Sequence, residues 1–236
     1  MVGVCLAASS AGAAVAFTTS GSELKVSCDA AANEISVLCD AGATTVQGDG
    51  ATMSTPIACS SLSRLEVTAD DGDDVVGIIE VTPGSGFSDP TLPGNIFIEG
   101  DDGRDKLDAS RGLLTFLYGG SGNDRLFGHR ANDSMSGAAG ADLIKGNGGA
   151  DFIKGKSGGD DLVGGKGIDF ILGGVGRDSI SGGKRIDCLR GGAGGDRISS
   201  GPGRDSVGGG PGRDRINQGP PPGDVFSEAR CSAAAL

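Results

Sequence analysis

From Asp124 to Asp214 an aspartate falls on every ninth residue without a miss, at Asp124, Asp133, Asp142, Asp151, Asp160, Asp169, Asp178, Asp187, Asp196, Asp205 and Asp214. Two residues beyond each stands an aliphatic or methionine side chain: Leu126, Met135, Ile144, Ile153, Leu162, Ile171, Ile180, Leu189, Ile198, Val207 and Ile216. Carboxylates at this density offer hard oxygen ligands, which suit calcium or magnesium better than metals that favour sulfur or imidazole. Calcium accepts about six to eight oxygens in flexible geometry, whereas magnesium demands a near-ideal octahedron and keeps its water. The chemistry expected of these carboxylates is therefore binding of Ca2+.

Carboxylates placed so regularly need a regular scaffold. Glycine fills most of the remaining unit, as in Gly119-Gly120-Ser121-Gly122-Asn123-Asp124-Arg125-Leu126-Phe127 and Gly164-Gly165-Lys166-Gly167-Ile168-Asp169-Phe170-Ile171-Leu172. Glycines at the first, second and fourth places permit positive φ and close backbone approach, so the unit can make a tight, carbonyl-lined turn. The three residues after the turn, with one apolar side chain between two others, read as a short strand pointing that side chain inward. The consensus G-G-x-G-x-D-x-U-x resembles the hemolysin-type, or RTX, calcium-binding repeat over Gly119 to Asn217.

The resemblance implies an all-β fold, a parallel β-roll or β-solenoid in which each unit is half a coil and units i and i+2 stack. The aspartates then sort into two edges, Asp124, Asp142, Asp160, Asp178, Asp196 and Asp214 on one and Asp133, Asp151, Asp169, Asp187 and Asp205 on the other. It further implies that each ion sits between turns of successive coils, held by sixth-place aspartates and turn carbonyls. The implied ligands are Asp105, the repeat aspartates, and the turns at Gly120, Gly122, Gly140, Gly149, Gly158, Gly167, Gly176, Gly194, Gly203 and Gly212. Units in which His129 and Ala131, or Arg185, replace glycine are expected to make poorer sites.

Strands stacked about 4.8 Å apart would set neighbouring carboxylates repelling by roughly 3 kcal/mol at an effective dielectric near 20. One buried Leu or Ile per unit returns only about 1.5–3 kcal/mol. With forty-six glycines to order as well, the metal-free roll is expected to be loose or unfolded. A solvated Gly/Asp-rich linker would match this composition but not the apolar residue locked at the eighth place.

The chain of 236 residues has no Trp and only 4% aromatics, so a large globular core is not expected. Its net charge of −11 argues against nucleic acid and anionic membrane surfaces as partners. Residues 1–16 are apolar, too short to span a bilayer, and end in Ala14-Val15-Ala16, the pattern of a cleaved secretory signal; an apolar N-terminal strand is the competing reading. Residues 17–99 carry short alternating runs, Leu24-Lys25-Val26, Ile35-Ser36-Val37, Leu65-Glu66-Val67 and Ile96-Phe97-Ile98, and read as a β region with degenerate repeats. Asp70 to Val76 and Gly100 to Leu107 look like relics of the unit. One continuous solenoid with a surface loop near Thr82 to Gly94 is the simplest arrangement, and a separate small sandwich is its competitor. Residues 100–217 form the expected roll, and 218–236, opening on a proline run, a cap or tail.

Cys28, Cys39, Cys59, Cys188 and Cys231 show no CxxC spacing for zinc, and an exported chain would favour disulfides. Cys188, at an outward seventh place, is expected to pair with Cys231. A single histidine, His129, excludes H-E-x-x-H, and Gly155-Lys156-Ser157-Gly158-Gly159 matches G-x-S-x-G without the strand-to-helix turn or triad histidine which that motif needs. The acid pairs Asp70/Asp71 and Asp160/Asp161 lack aromatic sugar platforms in the sequence and read as calcium ligands or solvated charge. The functional reading is a secreted, non-catalytic calcium-binding β-roll. Its alternatives are a surface adhesion or matrix protein with the roll as a spacer, engaging a cell-surface or extracellular-matrix partner, and an accessory fragment of a larger secreted enzyme.

Overall fold

The computed structural model describes residues 2–7, 14–20, 23–27, 33–40, 43–48, 51–58, 64–80, 95–109, 114–217 and 219. All regular elements among them are strands, arranged in two eleven-stranded sheets. Sheet A stacks β3 (Glu23–Ser27), β7 (Arg64–Thr68), β9 (Asn95–Asp102), β11 (Thr115–Ser121), β13 (Ser134–Ala139), β15 (Phe152–Ser157), β17 (Phe170–Val175), β19 (Cys188–Ala193) and β21 (Ser206–Gly208) in parallel. Sheet B stacks β4 (Glu34–Asp40), β8 (Val75–Glu80), β10 (Lys106–Asp108), β12 (Arg125–Phe127), β14 (Leu143–Gly148), β16 (Asp161–Lys166), β18 (Ser179–Lys184), β20 (Arg197–Ser199) and β22 (Arg215–Asn217) in the same way.

Successive units alternate between the sheets, so units i and i+2 pair; Ile144 sits beside Leu162, and Ile153 beside Ile171. This is the β-solenoid implied by the repeat. The eighth-place side chains from Leu126 to Val207 are all buried, in a thin core continuous with Leu24, Ile35, Leu65, Val76, Ile98 and Leu107. All four short runs foreseen in residues 17–99 are strands of these same two sheets, in β3, β4, β7 and β9. The segment near Thr82 to Gly94 and the tail beyond Asn217, apart from Gly219, lie outside the described residues.

At the N-terminal end the pairing turns antiparallel. The strand β1 (Val2–Ala7) pairs with β2 (Ala14–Ser20), and β2 with β3, while β5 (Ala43–Gly48) and β6 (Ala51–Ala58) extend sheet B beyond β4. Most of the segment with the features of a secretory signal thus occupies β1 and the start of β2.

Two local expectations are corrected. In the middle of the roll the strands are six residues long, running from the seventh place of one unit through the third of the next, as in Asp161–Lys166. The first-place glycines, moreover, have no positive φ; Gly137, Gly146, Gly155, Gly164 and Gly173 are needed because a Cβ there would run into the aspartate five residues later. The left-handed conformation belongs mostly to the second and fourth places, and Ala138, Asn147 and Lys156 at the second place and Arg185 at the fourth keep it without glycine, with φ between 70° and 88°, whereas His129 and Ala131 of the second unit do not.

Candidate metal centre

The sixth-place aspartates end the turns, and wherever the unit opens on glycine the carboxylate folds back under that first residue; the unit of Asp205 opens on Ser200 instead. Its Oδ1 accepts a hydrogen bond from the backbone N–H of the aspartate one coil earlier. On one edge the N–H of Asp124 donates to Asp142, Asp142 to Asp160, Asp160 to Asp178 and Asp178 to Asp196, each at 2.9 Å, and Asp196 to Asp214 at 3.0 Å. On the other, Asp133 donates to Asp151, Asp151 to Asp169 and Asp169 to Asp187 at 2.9 Å, and Asp187 to Asp205 at 2.8 Å. The nine-residue period therefore becomes two ladders of carboxylates linked through their own backbone.

The first ladder runs further than the regular spacing. Asp105 donates to Asp124, Asp74 to Asp105, and Asn33 to Asp74. The second begins at Thr115, whose N–H donates to Asp133 at 3.0 Å. Asp74 and Asn33 were missed as members of the edges because insertions separate them from the regular array, Asp74 preceding Asp105 by 31 residues against 18 between stacked repeats, whereas Thr115 stands in register 18 residues before Asp133 and was missed because it is not an aspartate. The sequence signal for Asp74 was there in Asp70-Asp71-Gly72-Asp73-Asp74, where Asp70 and Gly72 have the positive φ of second and fourth places.

The carboxylates of Asp105, Asp124, Asp142, Asp151, Asp160, Asp169, Asp178 and Asp196 are buried, and in each the Oδ2 has no hydrogen-bond partner. Burial is the main cause of the resulting pKa shifts, pushing Asp105 and Asp151 up to about 7, Asp124, Asp160 and Asp169 to about 6, and Asp142 and Asp178 upward as well. The N–H received from the neighbouring coil pulls each back toward ionisation, and repulsion between carboxylates ranks behind both, or is absent. This revises the energetic expectation: what opposes the metal-free roll is dehydration of the carboxylates more than their mutual repulsion.

Among the described residues no three acidic, histidine or cysteine side chains converge on one point. A cation here must therefore draw on backbone oxygens, and the turns present them. At Gly120, Gly122, Gly140, Gly149, Gly158, Gly167, Gly176, Gly194, Gly203 and Gly212 a Cβ would overlap the carbonyl oxygen of the matching residue one coil back, so those carbonyls point into the space between turns. A buried carboxylate oxygen without a partner beside inter-coil carbonyls is a donor set that fits a hard, oxygen-seeking cation.

The degraded units differ in ways that can be read individually. In the second unit the N–H of His129 donates to the Asp133 Oδ2 at 2.9 Å, so with Thr115 on Oδ1 both oxygens are occupied by protein. Arg185 keeps the left-handed turn, and its carbonyl faces Gly203. Asp161 is exposed, as expected for an outward seventh place. Ser157 is exposed at the end of β15 and donates to the Ala138 carbonyl at 3.0 Å, which is not the setting of a nucleophile elbow.

Residues 118–216 match the RTX calcium-binding nonapeptide repeat family in four copies, 118–153, 130–162, 154–184 and 185–216. This stretch carries RTX calcium-binding nonapeptide repeats, and RTX nonapeptide repeats bind Ca2+. No curated protein and no solved structure matched the chain. Among the described residues no helix is long and apolar enough to cross a membrane, which says nothing of a β-barrel.

Proposed function

We propose that this is a secreted, non-catalytic calcium-binding β-roll in which calcium ions lie between successive turns and supply the free energy of folding. The observation that carries the reading is the set of eight buried Oδ2 atoms with no partner, at Asp105, Asp124, Asp142, Asp151, Asp160, Asp169, Asp178 and Asp196. A buried carboxylate oxygen left unpaired costs free energy, and a divalent cation shared between coils turns that cost into attraction. The implied ligands are the ladder aspartates, now including Asp74, together with the inter-coil carbonyls. Asp133, satisfied from within the protein, is the weakest member.

Calcium titration of metal-free protein, followed by far-UV circular dichroism, tests the reading. Calcium in the range of about 0.1–1 mM, usual for extracellular modules, should convert residues 119–217 from largely disordered to β-structure, and magnesium should do much less. A spectrum already fully β in excess chelator would refute calcium-dependent folding.

Export is supported by the apolar start and the Ala14-Val15-Ala16 pattern, and removal of residues 1–16 would leave a mature N-terminus at Phe17. Mass spectrometry of protein recovered from culture medium reads this directly, and an intact Met1 terminus there would exclude cleavage.

A further inference from the structure

The exposed face of sheet A carries a feature that calcium binding does not use. Parallel register aligns the outward seventh-place residues of successive strands in one row: Phe97, Phe116, Ser134, Phe152, Phe170. Phe97 and Phe116 stack with ring centroids 4.8 Å apart and planes 7° from parallel, and Phe152 and Phe170 stack at 5.2 Å. The row is thus a ladder of rings with one rung missing at Ser134. Two strand spacings of about 4.8 Å separate the flanking rings, so the gap is about the thickness of one further ring in stacking contact on both faces.

The gap has a polar rim. Phe116 is covered on one face by Phe97, which itself lies under the Arg64 guanidinium at 4.3 Å, and its other face borders Ser134. Phe152 is covered by Phe170 on one face, and the Lys154 ammonium lies over its ring at 4.5 Å. In the adjacent outward row Tyr118, Ser136 and Lys154 stand side by side. The Ser136 hydroxyl is buried there with no hydrogen-bond partner. These residues other than Phe170 line a depression of about 490 Å³ whose charged lining is Arg64, Lys154 and Lys156 with Glu66, which Arg64 pairs at 3.0 Å, and Glu99.

A ligand for this slot needs two flat apolar faces, hydrogen-bonding groups around its edge, and negative charge to meet Lys154. An aromatic peptide side chain has the faces but leaves the Ser134, Ser136 and Tyr118 hydroxyls without partners. A neutral sugar has faces and edge but no counter-charge. We infer that this face of sheet A binds an acidic saccharide, with one uronate ring between Phe116 and Phe152 above Ser134 and its carboxylate on Lys154. Lys154 then exchanges its contact with the Phe152 ring for an ion pair and uncovers Ser136 for a sugar hydroxyl.

The test is calorimetric titration of the full, calcium-saturated chain with tetragalacturonate, and with maltotetraose as its neutral counterpart. Tetragalacturonate should bind at least tenfold tighter than maltotetraose. Ser134→Phe fills the missing rung and should weaken tetragalacturonate binding at least tenfold while leaving the calcium-dependent circular dichroism unchanged. Phe152→Ala should weaken it similarly, and Lys154→Met should bring it down to the neutral level. Unchanged binding in Ser134→Phe would place the uronate on the calcium edges and overturn the inference. Equal affinity for maltotetraose, preference for a Gly-Phe-Gly peptide, or no binding at millimolar tetragalacturonate would overturn it as well. The calcium reading stands apart from these outcomes, because Ser134 is on the sheet face and on neither aspartate edge.

Discussion

Replacing one ladder carboxylate in two ways separates its part in the metal-free fold from its part in holding calcium. Asp160 lies mid-ladder; its Oδ1 accepts the Asp142 N–H at 2.9 Å, its own N–H donates to Asp178 at 2.9 Å, and its Oδ2 is unpartnered. Asp160→Ala removes the acceptor and orphans a buried amide, at a cost of about 1–3 kcal/mol. Asp160→Asn keeps an acceptor oxygen in place and removes the buried charge. With its carboxyl raised from 3.8 to about 6, ionising Asp160 at neutral pH costs the metal-free roll on the order of 1–3 kcal/mol, allowing for solvent screening at a partly wet edge. In chelator, then, the Asn variant should be at least as ordered as the parent, while the Ala variant should gain nothing because the two effects offset. In calcium both should fail alike, since each removes an anionic ligand from the ions on both sides of its turn. Their folding midpoints should move to about tenfold higher calcium or beyond, as even outer-sphere changes cost about 10–100-fold in metal affinity. The assay is far-UV circular dichroism against free calcium, repeated for Asp169 on the other edge and for exposed Asp161→Ala as the control. A calcium midpoint that moves as far for Asp161→Ala as for Asp160→Ala would refute the nine-residue register, and an Asp160→Asn chain with parental calcium response would refute the role of the charge.

Further outcomes follow from the same geometry. Because Asp105, Asp124, Asp151, Asp160 and Asp169 titrate higher folded than unfolded, the metal-free roll holds protons that the unfolded chain has released, so its stability is greatest in acid and falls as pH rises from about 4 through about 6–7. In chelator, acidification from pH about 7.5 to about 5 should raise the β signal, whereas with calcium present it should weaken binding; a chelated protein that loses β-structure on acidification contradicts this. Gly167→Ala puts a Cβ at φ +146° onto the Gly149 carbonyl and should cost roughly 2–4 kcal/mol in calcium-saturated thermal unfolding, against about 1 kcal/mol or less for Gly159→Ala, which has no positive φ and meets only the Arg177 carbonyl at 3.2 Å. Cys188, half-buried at the start of β19, is expected to pair with Cys231, which lies outside the described residues, closing a loop worth about 4 kcal/mol on chain-entropy grounds. Non-reducing peptide mapping checks the pairing, and Cys231 joined elsewhere would exclude it.

The sequence by itself determined whatever is local to the unit and repeated. The spacing of Asp124 to Asp214 set a nine-residue unit, the eighth-place aliphatics set the thin core, and carboxylates among glycines set the class of ion, because side chains at one place of a strict period share one environment; the two edges followed from the half-coil unit that the family resemblance implies. What lay between coils was not legible there. First-place glycines looked conformational, yet they are small because an aspartate carboxylate lies under them, a contact that exists only once the turn has closed. Asp74 and Asn33 joined the ladders only when the sheets brought them into line across insertions that break the period, and Thr115, though in period, joined through its backbone N–H, which its side-chain type does not announce. The same stacking placed Phe97, Phe116, Phe152 and Phe170 in one row around Ser134, since neighbours on a parallel sheet are a full coil apart in the chain and only one strand spacing apart in space.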